Sequence, residues 1–167
     1  MIREAKIDDL ESIVEIYNQA IDKGFQTGFT KRLKTEDRKT WFYQHGEGYP
    51  LFVYEADGIV VGWLSVSPYR QGRGALQYIV EVSYYLHKDH QRKGIGSELL
   101  EYALKACGAL GYKTALAILM DVNTGSIKLL EKFCFEKWGH LPNVADFDGV
   151  ICGQFYYGLN FGMNKTM

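Results

Sequence analysis

A mixed α+β fold is expected from three features of this 167-residue sequence. Helical periodicity comes early, β-rich runs joined by a tight-turn dipeptide fill the middle, and a strand-helix-strand crossover occupies the second half. The length suits one domain over residues 1–167 with a proper core. With 47% hydrophobic and 23% charged residues, the composition is that of a soluble globular chain.

The opening "MIREAKIDD" reads as a short strand, and Asp8 or Asp9 is placed to cap an amphipathic helix. Leu10, Ile13, Val14, Ile16 and Tyr17 form the apolar face of that helix. The stretch "DKGFQTGFTKRLK" is a basic, glycine-containing loop, expected to be solvated because Glu36 and Asp37 follow it. A second helix is expected over Thr35 to Tyr43, with Trp41 and Phe42 packing inward. "PLFVYEADGIVVGWLSVSPYR" holds two strands joined at Asp57-Gly58, a dipeptide suited to a hairpin turn. "ALQYIVEVSYYLHK" is a third, longer strand. The next helix carries Leu99, Leu100, Ala103, Leu104 and Cys107 on one side and ends at Gly111. "YKTALAILMDV" is apolar enough to be covered on both faces. A short helix follows from about Thr124 to Lys132, and "DGVICGQFYYGLNF" is the last strand.

Several function classes are excluded at this level. The formal net charge of -1 and a pI near 6.4 give no general attraction to nucleic acid or to an anionic membrane. Any anion site must therefore be local. The first residues lack the apolar segment of a secretory signal, and no apolar run approaches the ~18 residues of a bilayer span. A cytoplasmic protein is expected. Cys107, Cys134 and Cys152 are odd in number and lack a CxxC pair, which fits reduced thiols. The four histidines are too scattered for a metal triad, so no metal is expected.

The segment carrying most chemistry is "HQRKGIGSELL". A strand running into Gly-x-Gly and then a helix makes an anion site from backbone alone: the first helical N–H groups lack acceptors, and the helix dipole adds positive potential. Glycine lets that backbone approach a phosphate closely, and Arg92 and Lys93 add charge beside it. The plainer reading is a sharp strand-to-helix turn. A Walker A loop is excluded because no lysine follows Gly96, and a dinucleotide fingerprint lacks its third glycine at Leu99. The pyrophosphate loop of acyl-coenzyme A enzymes, Gln/Arg-x-x-Gly-x-Gly/Ala, matches Gln91-Arg92-Lys93-Gly94-Ile95-Gly96 at every fixed position.

On these residues the chain resembles the GNAT superfamily of N-acetyltransferases, and within it the phosphinothricin acetyltransferase-like branch. The resemblance extends from "IREAKIDDLESIVEIYNQAI" through "EVSYYLHKDHQRKGIGSELL" to "DVNTGSIKLLEKFCF". It implies the acyl-CoA N-acyltransferase fold, a mostly antiparallel twisted sheet with flanking helices. It further implies that Ser83, Tyr84, Tyr85 and Leu86 pair with the pantetheine arm of acetyl-CoA. Gln91, Arg92, Lys93, Gly94, Ile95, Gly96 and Ser97 would then receive the pyrophosphate, and Asn123 would bond the coenzyme or the chain around it. Asn123 or Thr124 also reads simply as a helix N-cap.

Glu81 is the only acid in "YIVEVSYYL". Alternation puts it on one face with Ser83 and Tyr85, opposite Val80, Val82 and Tyr84. If that face lines a cleft, desolvation raises the carboxyl toward neutrality, as a general base requires. The alternative is a solvated or ion-paired carboxylate. The resemblance places at Glu81 a glutamate that takes the proton of an amine substrate.

The chain departs from the pattern at three places. A tyrosine in many GNAT enzymes, or a histidine in phosphinothricin enzymes, stands where this chain has Leu130, so water or a tyrosine such as Tyr85 or Tyr157 must protonate the departing thiolate. Cys134 also replaces a usual glycine. "PYRQGRGALQ" stands where relatives resemble Pro-Phe-Arg-x-Arg-Pro-Ala-Tyr; it keeps Arg70 and Arg73 with altered neighbours, and two guanidinium groups can hold a substrate carboxylate or phosphinate bidentately. The plainer reading is a basic hairpin tip. The expectation is transfer of acetyl from acetyl-CoA to a small amino acid or related primary amine by direct attack in a ternary complex, in a homodimer. Its rivals are a non-catalytic acyl-CoA-binding sensor or structural protein, and a protein N-acetyltransferase.

Overall fold

The computed structural model describes residues 1–162. In chain order it contains β1 (Ile2–Glu4), α1 (Leu10–Lys23), α2 (Thr35–Tyr43), β2 (Leu51–Ala56), β3 (Ile59–Pro68) and β4 (Ile79–Leu86). Then follow α3 (Ile95–Ala109), β5 (Thr114–Met120), α4 (Thr124–Lys132), β6 (Glu136–Phe147) and β7 (Val150–Asn160). The strands form one sheet in the order β1-β2-β3-β4-β5-β7-β6. Every neighbouring pair is antiparallel except β4 and β5, which are parallel. The α+β expectation holds.

Alternating strand residues feed two cores on opposite faces of the sheet. On one face Ile13, Ile16, Tyr17 and Ile21 of α1 pack against Leu51, Val53, Val60 and Trp63, with Trp41 and Phe42 of α2 half-buried beside them. On the other, Leu99, Leu100, Ala103 and Cys107 of α3 and Leu130 of α4 cover Leu64, Val66, Val80, Val82, Ala115 and Ala117. The Asp57-Gly58 hairpin forms as expected, with φ of 52° and 76°.

Four expectations need correction. The strand expected from Ala75 starts at Ile79, because Gly74–Leu76 closes as a 3₁₀ turn. Asp9 stands at the start of α1, but its carboxylate accepts the Lys6 N–H at 2.7 Å and two Arg3 nitrogens at 2.7 and 2.9 Å. It therefore ties β1 to the helix instead of capping it. Asp148-Gly149, read as the start of the last strand, is a turn with φ of 53° and 90°. It joins β7 to β6, a twelve-residue strand not expected from the sequence.

Candidate active site

β4 and β5 are paired only at Ile79↔Thr114, Val80↔Ala115 and Glu81↔Leu116. Past Glu81, β4 stays paired with β3 to Leu86, and β5 stays paired with β7 to Met120. The two strands part, and each keeps an unpaired edge toward the gap. A cleft of about 890 Å³ opens there, lined by residues 82–86 and 117–119, the loop before α3 and the start of α4. Peptide groups left unpaired along a cleft wall suit a ligand that itself carries amides.

The loop before α3 closes one end of this cleft. Arg92 (φ 60°) and Gly94 (φ 87°) are both left-handed, and alternation of that kind turns successive N–H groups into a concave anion site. Within α3 the first bonds come from Ser97 and Glu98 N–H to the Gly94 carbonyl, at 2.9 and 3.1 Å. The N–H groups before them have no acceptor in the helix. The Gln91 amide braces the loop, donating to the Leu86 carbonyl at 3.3 Å and accepting from Lys23 Nζ at 3.4 Å. Lys132 Nζ donates to Ser97 Oγ at 3.0 Å, adding a cation that the motif does not contain.

The two glycines have different reasons. Gly94 is required by its positive φ, and a Cβ there would meet little, the nearest contact being Glu98 at 4.0 Å. A Cβ on Gly96 would face inward, 3.2 Å from Leu129 Cδ2 and 3.4 Å from Leu86 Cδ1. Its smallness therefore also serves the packing of α3 on α4 and β4, while the residue still lines the cleft.

Glu81 is the last β4 residue paired with β5, at the point where the cleft begins. Val80 and Val82 are fully buried on the α3 side, so Glu81 shares the opposite face with Ser83 and Tyr85. Among the described residues no cation lies within ion-pair distance of its carboxylate. Burial alone pushes its pKa above the ordinary 4.5. Tyr85 packs edge-on to Tyr17 at 4.7 Å and against Trp63 at 4.9 Å. Burial drives its phenol far above the usual range.

Leu130 lines the cleft and is buried, so nothing at that position donates a proton. Of the two tyrosines considered in its place, Tyr85 lines the cleft, whereas the Tyr157 hydroxyl donates to Glu131 Oε1 at 3.1 Å. Tyr84 also lines it. Its pKa is pushed up to about 12 by burial, and its hydroxyl lies 3.5 Å from the Ser126 carbonyl. Asn123 does cap α4, accepting the Ser126 N–H at 3.3 Å, and it faces the cleft as well. Cys134 has φ 62°, a left-handed backbone of the kind that favours glycine. Arg70 and Arg73 sit on an exposed loop away from the lining, with Arg70 over its neighbour Tyr69 at 5.4 Å.

Residues 10–135 match the family described as "Acetyltransferase (GNAT) family". The chain belongs to the GNAT acetyltransferase family. This GNAT chain is 39% identical, over 89% of its length and 91% of the relative's, to a Bacillus subtilis protein provisionally named phosphinothricin acetyltransferase YwnH. It is 32% identical to the L-methionine sulfoximine/L-methionine sulfone acetyltransferase of Salmonella typhimurium, covering 86% of this chain and 84% of that one. Among solved structures, a GNAT-superfamily phosphinothricin acetyltransferase from Sinorhizobium meliloti in complex with acetyl-CoA superposes with a TM-score of 0.91. That alignment has 28% identity and covers 100% of this chain and 91% of the other.

Proposed function

We propose that this GNAT enzyme transfers acetyl from acetyl-CoA to the primary amine of a small amino-acid-like substrate, by direct attack in a ternary complex. The observation that carries this reading is the parting of β4 and β5 immediately after Glu81. It brings an amide-binding edge and an anion-binding helix start into one cleft, with a desolvated carboxylate at the point where the strands part. Ser83, Tyr84, Tyr85 and Leu86 run beside the pantetheine, and residues 91–97 with Lys132 hold the pyrophosphate. An amine arrives largely as ammonium, so Glu81 must remove a proton before the nitrogen lone pair can attack the thioester carbonyl. A thiolate then leaves and takes a proton from water or from a phenol lining the cleft.

Relatives named for methionine sulfoximine, methionine sulfone and phosphinothricin support an amino-acid acceptor. The test is release of free thiol from acetyl-CoA across a panel of amino acids. Heat stabilisation by acetyl-CoA with no turnover on any amine would favour a coenzyme-binding protein instead.

The raised Glu81 pKa sets a pH dependence. A protonated carboxyl cannot accept the substrate's proton, so kcat/KM falls as pH drops through a value above 4.5. The fall follows one proton and is absent from any residual activity of Glu81→Gln. A pH-rate profile with its acid limb at or below 4.5 contradicts this.

The reading places the enzyme in the cytoplasm as a homodimer. Support for the dimer comes from β6, an edge strand of the sheet, with Trp138, Leu141, Val144, Val150 and Ile151 exposed on the β6–β7 hairpin. Light scattering is expected to give twice the 19.1 kDa chain mass. A monomer at micromolar concentration refutes the pairing. No helix among the described residues is long and apolar enough to cross a membrane.

A further inference from the structure

Arg38 of α2 is held in an unusual setting. Its guanidinium carbon lies 4.0 Å from the centre of the Trp41 ring and 5.7 Å from that of Tyr17. The side chain is half-buried, yet among the described residues no carboxylate lies within ion-pair distance of it. Arg3 and Arg32, by contrast, each bridge two acids. A partly desolvated guanidinium without a counter-ion is costly unless an anion reaches it. Stacking on an indole leaves its N–H fork free to bind that anion edge-on.

The location is the face that carries Glu81. Arg38 lies over the Tyr17 ring, Tyr17 packs edge-on to Tyr85 at 4.7 Å, and Tyr85 shares its strand face with Glu81. On the other side Trp41 touches the His45 ring at 4.7 Å, and His45 Nε2 lies 3.5 Å from Ser67 Oγ. Ser67 is the strand partner of Glu81. His45 keeps its proton on Nδ1 by donating to the Trp41 carbonyl at 2.9 Å, and burial lowers its pKa, so it is neutral. Tyr17, Tyr85, Ser67 and His45 thus separate one cation from one carboxylate without adding charge. That arrangement complements a zwitterion, with its ammonium toward Glu81 and its anionic end toward Arg38.

Resting on the acetyltransferase reading above, we infer that Arg38, seated on Trp41, is the subsite for the carboxylate of the acceptor amino acid.

The test compares kcat/KM for L-methionine sulfone with that for its primary amide, which keeps the amine and loses the carboxylate charge. In Arg38→Met the acid-to-amide ratio is expected to fall by about 10- to 100-fold, the range of a lost charge-assisted hydrogen bond. Arg38→Lys, which keeps the charge but not the fork, should fall between. Thermal melting of both variants confirms the fold. A ratio unchanged in Arg38→Met overturns the inference, as does a collapse in an Arg70→Ala/Arg73→Ala double variant instead. Failure of the wild type to acetylate either compound also overturns it. In that case, turnover of any other amine in the panel leaves the acetyltransferase reading standing, and turnover of none removes both.

Discussion

Glu81→Gln is expected to lower kcat by about 10²- to 10⁴-fold, the contribution of a positioned general base, while acetyl-CoA still binds with near wild-type affinity. Glu81 sits where β4 and β5 part, on the strand face away from the α3 core, and no cation neutralises it among the described residues. The glutamine is nearly isosteric and stays on a half-buried strand position, so the fold and the anion-binding loop ten residues onward remain intact. It has no proton-accepting carboxylate at any pH. Binding measured by calorimetry and turnover measured by thiol release therefore separate in this variant. A kcat unchanged within a factor of two takes Glu81 out of the mechanism, and a parallel loss of coenzyme affinity makes its role structural.

Gly153→Ala is expected to destabilise the protein by about 1–3 kcal/mol through overpacking. Gly153 is buried in β7, and its N-terminal neighbours turn back into β6. A methyl group there would overlap Asp121 Oδ2, stand 2.6 Å from His140 Nε2 and 2.8 Å from the Leu141 carbonyl oxygen. Asp121 Oδ2 and His140 Nε2 are themselves 3.0 Å apart, and the other Asp121 oxygen is buried without a hydrogen-bond partner among the described residues. One obstacle is backbone, so rotation of a side chain cannot relieve the crowding. At about 2–4 °C per kcal/mol for a chain of this size, the loss is readable as a lower Tm. The KM for acetyl-CoA should also rise, because Asp121 leads directly into Val122 and Asn123 at the cleft wall. A Tm equal to wild type would show that β6 moves aside at no cost.

Much of this fold could be read before the structure, for local reasons. α2 and α4 occupy the expected spans, and in α4 the cause is visible in the Asn123 cap. The Asp57-Gly58 hairpin follows from the left-handed backbone of its two turn residues. β6 was not legible because it is exposed along most of its length and lacks the apolar alternation that marks a half-buried strand. Its register also shifts twice, and one shift brackets Pro142 and a left-handed Asn143, which read as a turn.

The site divides in the same way. Glu81 lies in one strand and residues 91–97 in one loop, so strand alternation and a loop motif single them out. Lys132 reaches Ser97 across 35 positions, and Arg38 gains meaning only once α2 lies over the β3–β4 face. Neither carries a local signal. Gly96 shows the converse limit: the motif singles it out for a phosphate, while its buried face toward Leu129 and Leu86 adds a packing reason that no local pattern carries.

The most direct measurement is a crystal structure with acetyl-CoA bound. It should show the pantetheine amides hydrogen-bonded to the free edge of β4 between Ser83 and Leu86, the pyrophosphate on the N–H groups of residues 91–97, and the thioester on the Glu81 side of the cleft. A coenzyme bound elsewhere, or one whose thioester points away from Glu81, would contradict the account.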